Sequence, residues 1–167
     1  MKDKIDKLVC RAKERDPDAF TLLIDGQVQG MYKIAISILR NDEDAADAIQ
    51  ETILTLWEKL DTLKEIRYFK TWMTRILINH CYTILKKNSK RVYMEELPEI
   101  PTEFESHQLE WQEALSVLNE NYRLIVTLYY VQGFKTKEIA KILDIPDNTV
   151  RTRLARARAQ LEKYYKE

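Results

Sequence analysis

Glycine, proline and cysteine are scarce in this chain of 167 residues, with three, four and two copies respectively. An all-β fold needs many tight turns, and these turns draw heavily on glycine and proline. Leucine, isoleucine, alanine, glutamate, lysine and arginine are plentiful instead, and most of them favour helices. Because 45% of the residues are apolar, ordinary cores can form, and we predict an all-α protein.

The two cysteines, Cys10 and Cys81, are far apart, so neither a disulfide framework nor the spacing of a zinc site is visible. The first sixteen residues, MKDKIDKLVCRAKERD, are charged throughout and unlike a signal peptide. The longest apolar run, MYKIAISIL, contains a lysine and is too short to span a membrane. We therefore expect a cytoplasmic protein without a bound metal or cofactor.

Charge is balanced in total, with 27 acidic and 27 basic residues, but it is segregated along the chain. Residues 42–61 hold seven acids and one lysine, and residues 64–91 hold eight bases and one glutamate. Residues 92–113 hold seven acids and no lysine or arginine, and nine bases against five acids follow Gly133. A protein that only coats nucleic acid is expected to be basic overall, so the alternation predicts at least two kinds of partner surface.

Helical spacing of apolar residues dominates the first ninety residues. A polar break precedes an acidic helix over 43–60, and Asn41 or Asp42 is a good N-cap for it. A second break, DTLKEIR, precedes a basic amphipathic helix over about 68–87, and we expect Trp72 to belong to the core. Along the basic helix run Trp72, Ile76, Asn79, Tyr82 and Thr83.

Residues 89–107 lack periodicity and contain Pro98, Pro101 and five glutamates. Because such a stretch is too long for a loop inside a compact domain, we predict a flexible acidic linker. The linker separates a first helical domain over 1–88 from a second over 108–167. The second domain is expected to hold helices at 108–119, 121–131, 136–143 and 148–165.

The stretch FKTKEIAKILDIPDNTVRTRLARARAQL, residues 134–161, has the features of a helix-turn-helix. Thr136 is predicted to cap the first helix and Asn148 or Thr149 the second, with DIPD as the turn between them. Small Ala140 lets the two helices cross closely. In this motif the second helix enters the major groove with its N-terminal half, so the pattern predicts DNA binding.

The second helix carries four arginines, which point in different directions when successive residues are placed 100° apart. Arg156 is best aimed at base edges, where a guanidinium pairs with guanine bidentately. Thr152 and Ala155 let the helix approach the bases, whereas Arg151 and Arg153 suit phosphates, which position the helix without specifying sequence. The inward stripe consists of Val150, Leu154, Ala157 and Leu161.

The fourth arginine, Arg158, is expected to contact a phosphate or a carboxylate. The alternative interpretation is that the arginine-rich helix is only a solvated face. The preceding turn and capped helix fit the DNA-binding motif better than that alternative does.

Segments of both domains resemble regions of sigma-70-type RNA polymerase sigma factors. LRNDEDAADAIQETILTLWEKLD and FKTWMTRILINHCYTILKK resemble regions 2.1 to 2.4, and GFKTKEIAKILDIPDNTVRTRLARARAQL resembles region 4.2. Two such domains on a short linker, without other sigma regions, are similar to the extracytoplasmic function (ECF) group. The resemblance implies a factor that binds core RNA polymerase, recognises promoter −35 and −10 elements, and performs no reaction of its own.

The resemblance implies that the acidic helix docks onto the coiled coil of the polymerase β′ subunit, and that the second domain meets the β flap. Acids and a glutamine on one face would meet basic and polar partner groups. The alternative is a solvated acidic face, and Ile53, Leu56 and Trp57 are expected to be core. The residues implied in polymerase binding are Asp44, Asp47, Gln50 and Glu51.

The basic helix resembles the family's reader of the −10 element. In the family, the preceding loop, here 61–67, and a helix asparagine hold a base flipped from the non-template strand. Asn79 in RILIN matches that asparagine, although a buried structural amide is the alternative. The residues implied in −10 binding are Lys64, Arg67, Lys70, Arg75, Asn79, Thr83, Lys86 and Lys87. Those implied in −35 binding are Thr149, Arg151, Thr152, Arg153, Ala155 and Arg156.

The chain departs from the family pattern in places. Asp144 and Asn148 stand where the family turn often carries glycine, and both residue types tolerate left-handed geometry. Met73 and Leu77 are bulkier than the usual residues, which leaves the −10 preference open. The resemblance also implies control by an anti-sigma factor, usually membrane-anchored, that covers exposed apolar stripes and could tether the protein at the membrane.

Two other functions compete with this interpretation. A regulator that binds operators as a dimer would bind duplex DNA tightly without joining polymerase. An enzyme would need a nucleophile with its base, a metal cluster or a glycine-rich phosphate loop, and the sequence contains none of these. We therefore expect no small-molecule substrate.

Overall fold

The computed structural model describes residues 2–89 and 113–166. All regular secondary structure within those two ranges is helical, which confirms the all-α prediction. The chain divides into two compact units, Met1–Ile84 and Leu85–Glu167. The predicted linker lies outside the described residues except for its first position, so its character and the domain limits remain predictions.

The first unit contains four helices and the greater part of a fifth, and two short 3₁₀ turns lie at Leu60–Thr62 and Ile66–Tyr68. Large side chains from several of these helices meet in one core. The helices are α1 (Lys2–Lys13), α2 (Pro17–Asp25), α3 (Val28–Leu39), α4 (Asp42–Lys59) and α5 (Phe69–Ser89). The largest fully buried side chains in this unit are Phe69, Leu23, Met31, Ile34, Leu56, Leu60, Leu77 and Val9.

Side-chain caps define where two of these helices begin. Oδ1 of Asp16 accepts hydrogen bonds from the backbone N–H groups of Asp18 and Ala19 at the start of α2. Oδ1 of Asn41 accepts a hydrogen bond of 2.9 Å from the backbone N–H of Asp44 at the start of α4. Asn41 is thus the N-cap, one of the two residues predicted for that position.

The second unit is built around a helix-turn-helix. Residues 113–116 form a helical turn, and the segment Thr127–Val131 is π-helical and directly follows α6. Together α6 and the π-helical segment occupy the range predicted as one helix over 121–131. The helices of this unit are α6 (Glu120–Val126), α7 (Thr136–Leu143) and α8 (Asp147–Lys166).

Both predicted caps of the helix-turn-helix are wrong. Thr136 is the first residue of α7 rather than its cap, and the carboxylate of Glu138 accepts a hydrogen bond of 3.1 Å from the backbone N–H of Lys135. Helix α8 begins at Asp147 because the carbonyl of Pro146 already accepts hydrogen bonds from the two N–H groups of residues 149 and 150. The two residues predicted as its cap therefore lie within its first turn.

Candidate nucleic-acid and protein interfaces

Helix α4 brings the four predicted polymerase-binding residues to one side. Asp47, Gln50 and Glu51 are exposed and Asp44 is half-buried. They lie opposite the buried stripe, because residues three and four apart share a helix side. The buried stripe consists of Ala45, Ala48, Ile49, Thr52 and Leu56.

Leu54 continues this acidic side towards the C-terminal end of α4, with 59% of its surface exposed. It is three residues from Glu51 and four from Gln50, so an exposed apolar side chain adjoins two polar ones. We call Asp44, Asp47, Gln50, Glu51 and Leu54 the acidic face. Sequence reasoning missed Leu54, although the signal was present, because Leu54 is out of register with the apolar stripe of its helix.

The end of α4 packs partly into the core. Leu56 is fully buried as expected, whereas Ile53 and Trp57 are only half-buried. The ring of Trp57 lies 4.9 Å from that of Phe20, centroid to centroid, and the guanidinium of Arg15 lies 5.0 Å above it. The prediction that all three residues are core is therefore right for one of them and too strong for two.

Residues 60–68, which we call the connecting loop, join α4 to α5. Leu60 and Leu63 are buried and anchor the loop to the core. Lys64, a predicted −10 contact, is exposed between these anchors and α5. The loop is therefore anchored by its two buried leucines, while its polar side chains face solvent.

An aromatic and charged cluster occupies the second half of the connecting loop. Nε of Arg67 donates a hydrogen bond of 2.7 Å to the Glu65 carboxylate, and this hydrogen bond raises the pKa of the Arg67 guanidinium. The same guanidinium lies 4.8 Å above the ring of Tyr68. Tyr68 is 46% exposed and offers a flat surface on which a base could stack. Sequence reasoning did not single out Tyr68.

Helix α5 turns a different side to the core than its sequence suggested. Trp72 is half-buried rather than core, and its ring lies 6.1 Å from that of Phe69, centroid to centroid. The error has a physical cause, since apolar residues occur on two sides of this helix. The buried side consists of Phe69, Met73, Thr74, Leu77, Ile78 and Cys81.

The side of α5 away from the core is basic and polar. Placing residues 100° apart puts Arg75, Asn79 and Lys86 opposite the buried side, with Thr83 beside them. We call these four residues the basic face; all four are exposed, as are Lys70 and Lys87. Since Asn79 is exposed, the alternative of a buried structural amide is wrong.

Hydrogen bonds orient two polar residues of α5. The Thr83 hydroxyl donates to the carbonyl of Asn79 over 2.9 Å, so its oxygen remains available as an acceptor. Nε2 of His80 lies 2.9 Å from the hydroxyl oxygen of Thr55 and so links α5 to α4. Burial raises the pKa of the Cys81 thiol to about 12, which keeps it neutral. Within the described ranges no group of side chains is suited to hold a metal ion.

Helix α8 has the predicted inward stripe. Val150, Leu154 and Ala157 are buried, while Leu161 at the far end is half-buried. The predicted −35 contacts divide by exposure into two groups. Arg151, Thr152, Ala155 and Arg156 are exposed, and Thr149 and Arg153 are half-buried.

Arg151 already has an acidic partner on its own helix. Its guanidinium lies 3.0 Å from Oδ2 of Asp147, one turn earlier. The other carboxylate oxygen of Asp147, Oδ1, is buried and accepts no hydrogen bond. An acid at the N-terminus of a helix is stabilised by the helix dipole, which makes this position favourable for Asp147.

Arg158 does not face a carboxylate. Its Nε donates a hydrogen bond to the hydroxyl of Tyr130, and its guanidinium lies 5.7 Å from the ring of Tyr129 and 5.6 Å from that of Tyr130. Of the two expected partners, the carboxylate is thus not found among the described residues, and the phosphate contact stays a prediction. Both tyrosines belong to the π-helical segment, whose geometry the sequence did not reveal.

The turn between α7 and α8 accommodates the departures from the family pattern. Asp144 has φ 55° and ψ 50°, the left-handed conformation that aspartate tolerates better than most residues. The backbone N–H of Ile145 then donates to the carbonyl of Ala140 over 3.1 Å. Asn148 needs no left-handed geometry because it lies within α8.

Comparison with known proteins gives a consistent result for both halves of the chain. The Sigma-70 region 2 family matches residues 23–91, and the Sigma-70, region 4 family matches residues 108–161. The RNA polymerase sigma factor SigV of Bacillus subtilis is 34% identical over 133 residues, which cover 77% of this chain and 80% of that protein. The ECF RNA polymerase sigma factor SigW of the same bacterium is 27% identical over 182 aligned positions, covering 98% of this chain and 97% of that protein.

A solved structure is similar as well. The sigma factor RpoE of Bartonella quintana, crystallised with the anti-sigma factor NepR, is 26% identical to this chain with a TM-score of 0.74. The similarity covers 91% of this chain and 98% of that one.

Two helical units, the second with a helix-turn-helix, and matches to both sigma regions define a transcription initiation factor. The chain belongs to the ECF group of sigma-70-family RNA polymerase sigma factors. It binds core RNA polymerase and directs promoter-specific initiation, and such factors regulate transcription rather than act as enzymes. The resemblance expected from the sequence is confirmed.

Proposed function

We propose that this sigma factor divides its work among three surfaces: the acidic face, the connecting loop with the basic face, and the outward side of α8. The observation that carries the proposal is that Asn79 is exposed, beside basic side chains, on the side of α5 away from the core. An exposed amide can donate to and accept from a base edge, while the surrounding cations neutralise phosphate.

The acidic face is the proposed docking site for core polymerase. Exposed Asp47, Gln50 and Glu51 offer charge and hydrogen-bond complementarity to a basic partner, here the β′ coiled coil. Leu54 supplies an apolar anchor beside them, and interface energy is concentrated where a side chain is fully desolvated.

The connecting loop and the basic face are the proposed −10 site. A base flipped from the non-template strand would meet Asn79 and find a stacking surface in Tyr68. Phosphates would be neutralised by exposed cations that surround these two residues. The proposed phosphate contacts are Lys64, Arg67, Lys70, Arg75, Lys86 and Lys87, with Thr83 as a hydrogen-bonding neighbour of Asn79.

The N-terminal half of α8 is the proposed −35 reader, carried by a second domain that meets the β flap. Arg156 reads a guanine edge, and Thr152 and Ala155 allow close approach. Thr149, Arg151 and Arg153 position the helix on phosphates. Arg158, held by its two tyrosines, supports the far end of the helix rather than reading bases.

The proposed domain limits are 1–88 and 108–167. Residues 89–107 are proposed to form an acidic linker that passes through the nucleic-acid channels of polymerase. We also propose that the protein works in the cytoplasm, carries no reaction of its own and needs no cofactor. No helix in the described part of the chain is long and apolar enough to cross a membrane.

Control by an anti-sigma factor is part of the proposal, with the membrane as the expected site of its anchor. Large apolar side chains on the surface of the first unit offer places for such a partner to dock. Three of them on helices are Leu22, Val28 and Leu54. The similar Bartonella quintana factor was crystallised with its own anti-sigma factor, which supports the same kind of regulation here.

The −10 assignment is tested by Asn79→Ala in the full chain bound to core polymerase. We expect promoter opening to fall about 5- to 150-fold, because a lost base-edge contact costs about 1–3 kcal/mol. Affinity for core polymerase should stay unchanged. The matched control is Asn121→Ala, which removes an exposed helical asparagine from the second unit. Equal opening by the Asn79→Ala variant and the wild type would refute the assignment.

A further inference from the structure

We propose that the corner joining α1 to α2 is a positioning element for the connecting loop, and so for capture of the −10 base. We call residues 13–16 the α1–α2 corner. The inference rests on the proposed function of the connecting loop. It assigns a role to a segment that lies more than forty residues earlier in the chain and outside both predicted DNA-binding stretches.

Two side chains of the α1–α2 corner hold the first half of the connecting loop. Nζ of Lys13 donates a hydrogen bond of 2.6 Å to the carbonyl of Leu63. The guanidinium of Arg15 lies 2.8 Å from Oδ2 of Asp61, and it also donates a hydrogen bond to the carbonyl of Trp57. The corner therefore contacts the loop at two positions and the end of α4 at a third.

Arg15 makes these contacts from an uncommon backbone conformation. Its φ is 67°, in the left-handed region that residues with a Cβ seldom occupy, and its backbone N–H donates to the carbonyl of Ala12 over 2.9 Å. Glycine would accept this conformation more readily. The position nevertheless carries an arginine, the residue whose guanidinium reaches the loop.

The guanidinium of Arg15 packs against an aromatic ring that is itself held by a second ring. It lies 5.0 Å above the ring of Trp57, which in turn packs against the ring of Phe20. Trp57 belongs to the last turn of α4, whose final carbonyls have no partner within the helix, so a cation there is favourable. The Arg15 side chain thus hydrogen-bonds a carbonyl at the end of α4 and pairs with Asp61 at the start of the connecting loop.

The contacts from the corner do not involve the side chains of the loop that are proposed to meet DNA. Lys64 and Tyr68 are exposed, while Leu60 and Leu63 anchor the loop from below. A loop fixed before its ligand arrives loses less conformational entropy on binding. The α1–α2 corner would therefore favour capture of the correct base by holding the loop in the geometry that receives it.

A contribution to stability alone is the competing explanation, and exposure argues against it. The side chains of Arg15 and Asp61 are 39% and 67% exposed, and ion pairs so open to solvent add little to folding. A suitable control pair is formed by Arg11, in the last turn of α1, and Asp16 of the corner. Their ion pair is 2.7 Å long and joins two residues only five positions apart, at the end of α1 and the start of α2.

The test uses full-length protein bound to core polymerase and promoter fragments in which each −10 base is substituted singly. The measured quantity is the ratio of open-complex formation rates between the preferred and a substituted −10 base. We expect Arg15→Ala to lower this ratio about fivefold, with core affinity and −35 preference unchanged. Asp61→Ala, which removes the other partner, should lower the same ratio, and Arg11→Ala should not.

Two results would overturn the inference. One is an unchanged ratio for Arg15→Ala; an equal drop in rate on all −10 fragments gives this result and marks a phosphate contact or a loss of stability. The other is a fall in the ratio for Arg11→Ala equal to that for Arg15→Ala. If the wild-type protein opens every −10 fragment at the same rate, the proposed function of the loop fails first. That failure is visible before any variant is measured.

Discussion

Arg156 and Arg158 stand two positions apart on α8 and have different surroundings. Arg156 is exposed on the outward side, whereas Arg158 is held by Tyr129 and Tyr130. We expect Arg156→Ala to cost about 1–3 kcal/mol at the preferred −35 element and to relax specificity at one base position. The measurement is holoenzyme affinity for a set of duplexes that vary at −35.

Arg158→Ala is the matched control for this prediction. It should change the affinity for all −35 sequences by a similar factor, because its guanidinium is directed to the tyrosines. If both variants weaken every sequence equally, the assignment of Arg156 to base reading is wrong.

Asp147 limits the charge that α8 presents to DNA. Because its carboxylate pairs with Arg151, Asp147→Asn should free one cation for phosphate. The slope of log K against log salt for non-specific duplex should then steepen by about one. Asp144→Asn, a nearby loss of the same charge without an arginine pair in the described structure, should change the slope less. Equal slopes for the two variants would contradict this role of Asp147.

Local chemistry made the cap of α4 predictable from the sequence, although it did not do so for the starts of α7 and α8. Asn41 caps α4 because its short amide reaches a backbone N–H three residues later. The partners of Arg15 and Arg158 were not predictable, since they come from residues 42 and 28 positions away in the chain. Contacts over such distances depend on how the helices pack, which no local pattern contains.

At the scale of elements, α4 combines an acidic surface with one exposed leucine. We expect Leu54→Ala to weaken binding to core polymerase by about 2 kcal/mol, the value of burying one leucine side chain. Folding stability should change by less than about 0.5 kcal/mol, as is usual at exposed sites. Core affinity and thermal unfolding of the full chain are the two measurements.

Leu22→Ala provides the control because Leu22 is 58% exposed on α2, almost the same as Leu54. It should leave core affinity unchanged. Equal losses for the two variants, or no loss for either, would remove Leu54 from the proposed interface.

The extent of the helices was easier to predict than their orientation. The acidic helix was expected over 43–60 and is α4, Asp42–Lys59. The buried side of α5 was misjudged because Trp72 and Ile76 offer a second apolar line beside that of Met73 and Leu77. Only packing against the other helices decides between two such lines.

At the scale of the whole molecule, zero net charge conceals surfaces of opposite sign on successive helices. The acidic face lies on α4 and the basic face on α5, and all of their residues except Lys86 belong to the first unit of the chain. This order of charge suits a protein that binds a basic protein surface and DNA at the same time. The sequence predicted that division, but not the exposed leucine and tyrosine that complete the two surfaces.

The central claim is that the protein positions polymerase on promoters through these surfaces, and run-off transcription tests it most directly. Purified full-length protein is added to sigma-free core polymerase with genomic templates. We predict transcripts with defined starts that are absent with core polymerase alone and are lost when the −35 or −10 element is altered. Tight duplex binding by the isolated protein, with no promoter-specific transcript on any template, would contradict the account and favour a dimeric operator-binding regulator.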